Sequence, residues 1–142
     1  MTFVVVFTVD GSPHGKGRPR FRRFGNFVQT YTDAKTKSYE TIVKEAAKQA
    51  MGSSPPLEGP VRLDCIIRLS VPKSYPKKRA EACLNGSEWP TKKIDIDNIV
   101  KSISDGMNEV VFLDDSQIVV LRAVKTYSAE AGVDVKVSEV LE

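Results

Sequence analysis

Histidine, tryptophan and cysteine are scarce in this chain: one, one and two among 142 residues. Cys65, Cys83 and His14 fall at no metal-ligand spacing, which argues against a zinc centre built from clustered thiolates and imidazoles. His14 also lacks a neighbour that would make it a general base. Long apolar runs are missing; none approaches the ~20 residues of a membrane-spanning helix. Residues 3–9 are apolar but stop at a turn, and so read as a strand and not as a signal peptide. Nor does one charge dominate. The net charge of +3 is too small for the total to announce a nucleic-acid binder. Repeats and low-complexity tracts are absent, which excludes a solenoid. Composition is otherwise that of an ordinary soluble protein, and the length suits one domain over 1–142 with a real core. Cys65, inside an apolar alternation, reads as a buried thiol, and a reduced cytosolic setting is the default.

What is present falls into strands and helices of alternating type. Residues 3–9 are β-branched and apolar on both faces, as in a central strand. Residues 32–51 place Tyr39, Ile42, Val43, Ala46, Ala47 and Ala50 on one helical face, with Gly52 as its stop. From Val61 to Val71, Leu63, Cys65, Ile67 and Leu69 alternate with Arg62, Asp64 and Arg68, a half-buried strand that Pro72 ends. Pro76 opens a short helix that closes near Asn85-Gly86. Trp89 reads as a stacking residue or a core plug, with the plug favoured because a lone Trp is more often buried than not. Residues 117–127 and 132–140 read as two further strands joined as a hairpin near 129–132. The order predicts an α+β domain, a mixed sheet with helices packed on it.

Charge is modest in sum but uneven along the chain. Lys16, Arg18, Arg20, Arg22 and Arg23 fall within eight positions, spaced by Gly15, Gly17 and Pro19, which keep the backbone irregular and let it approach a ligand. Phe21, Phe24 and Phe27 interleave with the arginines, a mixture suited to phosphate contacts and stacking on exposed bases. Gly25-Asn26 predicts a hairpin turn between 20–24 and 27–31. A second basic cluster, Lys73, Lys77, Lys78, Arg79, Lys92 and Lys93, precedes an acidic stretch.

That stretch, residues 92–117, organises the rest. Asp95 and Asp97 alternate with Ile94 and Ile96, so that in an extended segment both acids would face one way. Ile99, Ile103, Met107 and Val110 then form a helical stripe, with Asp97 or Asn98 placed to cap it. Lys101 lies one turn from both Asp97 and Asp105, and Asp114-Asp115 follow the helix. Such a helix is roughly 20 Å long, so the chain must fold back for its acidic ends to meet. Converging carboxylates repel unless a cation sits among them, and an all-oxygen set suits Mg²⁺ or Mn²⁺. Read by themselves, the same residues also suit a helix cap, a polar turn and a solvated lysine.

The run D-I-D-N-I-V-K, a helix, then L-D-D-S-Q-I resembles the signature of the RusA family of Holliday junction resolvases. GSPHGKGRPRF resembles that family's basic opening segment. The resemblance implies a RusA-like endodeoxyribonuclease that resolves four-way DNA junctions by paired nicks in recombination and repair. It implies Mg²⁺, with Mn²⁺ as substitute, held by Asp95, Asp97 and Asp115, or Asp114 in place of the last. By the same match Lys101 is the catalytic lysine. Lys16, Arg18, Arg20, Arg22, Arg23, Lys92 and Lys93 are the expected DNA contacts. A homodimer is implied, since a two-fold enzyme presents two sites to a two-fold substrate, as is a cytoplasmic protein of bacterial, prophage or phage origin. Two rival readings are another Mg²⁺ nuclease acting on flaps or single strands, and a DNA-binding protein without catalysis.

Overall fold

The alternation from Val61 onward is realised as β4, Val61–Ser70, the strand on which the sheet is built. Its inward residues Val61, Leu63, Cys65 and Ile67 are at most 1% exposed, while Arg62 and Asp64 face the other side and bond each other at 2.9 and 3.0 Å. Burial pushes the Cys65 thiol up to about 12, so it is a packing residue and not a nucleophile. The computed structural model describes residues 2–17 and 20–141, with Arg20 described in its backbone alone.

The other elements are β1 (Val4–Asp10), β2 (Arg20–Phe24), β3 (Phe27–Tyr31), α1 (Ala34–Met51), α2 (Lys77–Leu84), α3 (Ile96–Met107), a single 3₁₀ turn (Asp115–Gln117), β5 (Ile118–Ser128) and β6 (Gly132–Glu139). The fold is α+β. Its mixed sheet runs β1-β6-β4-β5, and β2-β3 form a separate two-stranded hairpin.

Two strand expectations need correction. β5 and β6 are consecutive and joined by a short turn, yet they do not pair. β4 lies between them, parallel to β5 and antiparallel to β6. A three-residue link reads locally as a hairpin, and the insertion of a strand from 50 residues earlier leaves no local trace. β1 is an edge strand and not a central one. Val5, Phe7 and Val9 are buried while Val4 and Val6 stand 46% and 64% exposed, because the helices cover only one face of the sheet.

α1 and α3 make that cover. Tyr39, Val43, Ala47 and Met51 of α1 are buried, as are Ile99, Ile103 and Met107 of α3, each at 0% exposure. Residues of this size contribute roughly 1.5–3 kcal/mol apiece on full burial. The helices cross closely at Gly106, where an added Cβ would lie 2.7 Å from Val43 and 3.0 Å from the Glu40 carbonyl oxygen. Val110 falls beyond the end of α3, and the stripe is shorter than its periodicity implies. Trp89 is 58% exposed and plugs nothing.

Candidate active site

Asp95 and Asp97 sit at the start of α3, and the extended alternation expected there is not formed. Asp95 itself occupies the N-cap position and the helix begins at Ile96. That displaces Asp97 and Asn98, the expected caps, into the first turn. The Asp95 side chain makes no capping hydrogen bond. Both carboxylates are exposed, and neither has a hydrogen-bond partner among the described residues. A carboxylate at N-cap that leaves its backbone donors untouched is free for another ligand. The approach to Asp95 is held in place by β5, whose Lys125 ammonium donates to the carbonyls of Lys92 and Ile94 at 3.1 and 2.9 Å.

The chain folds back after α3 as the acidic spacing requires. Glu109 adopts φ 68°, and its N–H donates to the Phe112 carbonyl at 2.7 Å. This left-handed residue is the sharp point of the reversal, at a cost of about 1–2 kcal/mol. The return brings Asp115 to Lys101, with Nζ–Oδ2 at 2.9 Å.

Asp114 and Asp115 then part in role. Asp114 is the N-cap of the 3₁₀ turn: its carboxylate accepts from the Ser116 N–H at 3.0 Å, and its own N–H donates to Gln117 Oε1 at 2.9 Å. Hydrogen bonds from Ser116 hold the Asp114 carboxyl below the usual carboxylate range. Gln117 pins the turn to the core loop by donating to the carbonyls of Leu57 and Gly59. The D-D-S-Q run is thus a cap, a presented acid and an anchor.

Lys101 lies between two acids, Asp115 and, one helical turn on, Asp105 at 3.1 Å. Its pKa is raised, first by the hydrogen bond to Asp115 and further by Asp105, against the opposing effect of burial. Asp105 in turn meets Lys16 at 2.9 Å, and Lys16 meets Glu40 of α1 at 3.1 Å. Burial alone would lower the Lys16 pKa, but the hydrogen bonds to Asp105 and Glu40 outweigh it and the pKa is raised. The result is a chain of alternating charge, Glu40–Lys16–Asp105–Lys101–Asp115. Sequence spacing pairs Lys101 with Asp105, but nothing local announces Lys16 or Glu40, which arrive from other elements.

The expected DNA contacts are spread over three places. Lys16 turns inward, its N–H donating to the Asn98 carbonyl at 2.9 Å. Gly15 and Gly17 serve the same seating. A Cβ on Gly15 would lie 2.6 Å from Ile94 Cγ2, and one on Gly17 would lie 2.6 Å from Asp33 Oδ1. These glycines therefore admit the protein's own helices, where the sequence suggested a ligand. Arg18 and the side chain of Arg20 lie outside the described residues. Arg22 and Arg23 are exposed on the β2–β3 hairpin, which pairs Phe24 with Phe27 across the Gly25-Asn26 turn as expected. Phe21, Phe24 and Phe27 are 70%, 53% and 77% exposed. Lys92 and Lys93 are exposed beside Asp95.

For a hard divalent cation the donor chemistry fits: two exposed carboxylates with no donor among the described residues, and a third, Asp115, whose counter-charge is Lys101. Among the described residues no three His, Cys, Asp or Glu side chains already converge as a metal cluster.

A comparison of the whole sequence with known families matches residues 10–138 to the endodeoxyribonuclease RusA family. The chain belongs to that family. Relatives match it over almost its full length. It is 37% identical over 138 residues to the uncharacterized protein YqaN of Bacillus subtilis (strain 168), covering 96% of each chain. It is 26% identical over 144 residues to the crossover junction endodeoxyribonuclease rusA of Lactococcus phage r1t, covering 99% of this chain and all of that one. The RusA match makes the chain an endodeoxyribonuclease by family. Among the described residues no helix is long and apolar enough to cross a membrane.

Proposed function

We propose that this RusA-family protein is a Mg²⁺-dependent, structure-selective endonuclease that resolves Holliday junctions by paired nicks, acting as a homodimer in recombination and repair. The observation that carries the reading is Lys101 held 2.9 Å from Asp115, on the helix that opens with Asp95 and Asp97, whose carboxylates have no hydrogen-bond partner among the described residues. Asp95, Asp97 and Asp115 would hold the cation. When bound, it supplies Lewis-acid activation of a water and neutralisation of the scissile phosphate. Lys101 places a positive charge where negative charge builds on the phosphate oxygens. It is the one member of the site that needs no cation to be in position, and it balances Asp115 until one arrives. Arg18, Arg20, Arg22 and Arg23 on the basic arm, with Lys92 and Lys93, bind the phosphate backbone, and the exposed phenylalanines suit unstacked bases at a branch point. A second copy would present an identical site to the opposite strand of a two-fold junction.

The test is nicking of a synthetic four-way junction in Mg²⁺, against duplex, flap and single-stranded controls. Paired symmetric cuts in the junction alone are expected. Equal or faster cutting of flaps would replace this reading with that of a general branched-DNA nuclease.

A further inference from the structure

The charge chain beside α3 contains one residue that the proposed chemistry does not use. Asp105 is close to buried, with 16% of its side chain exposed, while Lys101 beside it is 53% exposed. Both carboxylate oxygens are taken: Oδ1 by Lys101 at 3.1 Å, and Oδ2 by Lys16 at 2.9 Å. The next residue, Gly106, is packed against Val43 and the Glu40 carbonyl with no room for a Cβ, so the backbone beside Asp105 is seated closely against α1.

We propose that Asp105 is a positioning residue, whose carboxylate, shared between Lys101 and Lys16, fixes the Lys101 ammonium beside Asp115 and ties it to the root of the basic arm. The proposal rests on the reading that Lys101 serves cleavage. A free lysine side chain samples many rotamers, and ordering it has a substantial entropic cost. Asp115 alone cannot hold Lys101 throughout, because the same carboxylate is a proposed cation ligand. Asp105 can, since each of its oxygens already faces a lysine ammonium and it is not among the proposed cation ligands. Lys16 has a separate task. Facing two lysines, Asp105 keeps a firm hold on each without leaving an uncompensated charge in a poorly solvated place. An exposed i,i+4 pair on a helix contributes little. This pair differs because one partner is nearly buried and braced from a second element.

The experiment uses Asp105→Asn, which keeps the shape and removes the charge. Lysine acylation of the metal-free protein, read by mass spectrometry, should show Lys101 labelled several-fold faster than in the wild type, with Lys92 and Lys93 unchanged. Single-turnover nicking of a four-way junction should slow by about tenfold, with junction affinity within about twofold. In a Lys101→Ala background the same substitution should have no further effect on nicking, as a residue acting through Lys101 requires. Unchanged Lys101 labelling, or an equal loss of rate with and without Lys101, would overturn the proposal. If Asp105→Asn does not fold, Asp105→Glu displaces the carboxylate by one methylene, and the same labelling contrast decides the matter. A wild-type protein that leaves junctions uncut would overturn the function proposed above, and labelling at Lys101 would still decide the role of Asp105.

Discussion

Lysines at α3 and arginines on the hairpin carry the same charge in opposite settings. Lys16 and Lys101 each meet two carboxylates within 3.1 Å. Arg22 and Arg23 meet none among the described residues. Arg22 instead lies over the rings of Tyr31 at 4.9 Å and Phe24 at 5.9 Å, and Arg23 donates to the Gly25 carbonyl at 3.3 Å. Lys16, already neutralised by two acids that no proposed cation takes, gains little from one more anion, so it serves geometry. A cation resting on aromatic rings keeps its charge available, and a polyanion gains from it by releasing counterions. Charge density along the sequence does not separate these cases. Lys16 belongs to the same basic run as Arg22, and only the partner supplied by the fold tells them apart.

The acids at the start of α3 give the sharpest way to break this contrast. Asp97 has no hydrogen-bond partner among the described residues. Asp97→Asn should therefore leave melting nearly unchanged, losing at most the roughly 0.3–1 kcal/mol of a first-turn acid on the helix dipole. Cleavage should fall to the assay background, while junction affinity persists or rises with the loss of a negative charge facing phosphate. Nicking at the wild-type rate by a normally melting variant would remove Asp97 from the proposed cation site.

Next in size is Lys101→Ala. It removes the cation proposed to serve the chemistry, so single-turnover cleavage should drop by about 10²–10³-fold with junction affinity little altered. Matching losses in both would return Lys101 to the binding group and dissolve the distinction drawn above.

Much of this was legible in the residues, and what was not shares one cause. β4, α1, the hairpin at Gly25-Asn26 and the short helix after Pro76 follow from local alternation, periodicity and turn chemistry. The edge position of β1, the passage of β4 between β5 and β6, and the exposure of Trp89 depend on what packs from elsewhere in the chain. At the site, the D-x-D-N-x-x-K pattern located the acids and the lysine. It also suggested an extended Asp95–Asp97 pair, which the helix start at Ile96 replaces. The partition between Asp114 and Asp115 was not readable from two identical neighbours. It becomes so through Ser116 and Gln117, which engage the first and leave the second facing Lys101.

On the arm, Arg22→Ala with Arg23→Ala should weaken junction binding at low salt and flatten the dependence of log affinity on log salt by about two, near one per lost phosphate contact. Lys16→Gln should leave that slope nearly unchanged, because Lys16 is committed to Asp105 and Glu40. A slope that flattens equally in the Lys16 variant would mean that its ion pairs open to admit phosphate.

The smallest expected effect on activity belongs to Asp114, and it tests how the two neighbouring acids divide their work. Asp114→Ala removes the acceptor for the Ser116 N–H but leaves Gln117 anchored to Leu57 and Gly59, so the turn loses its cap and keeps its seat. Loss of an N-cap side chain destabilises a helix start. For this single turn, already braced by Gln117, the expected effect is a modest fall in melting temperature. Asp115 should still be presented to Lys101, and nicking in Mg²⁺ should stay within about threefold of wild type, a change of under 1 kcal/mol in barrier. Asp115→Asn should do the reverse, sparing stability apart from one half-exposed ion pair and removing cleavage. If Asp114→Ala melted normally and failed to cut, the carboxylate that caps the turn would be the one the cation uses. The contact between Lys101 and Asp115 would then be a surface pair, with no part in the site.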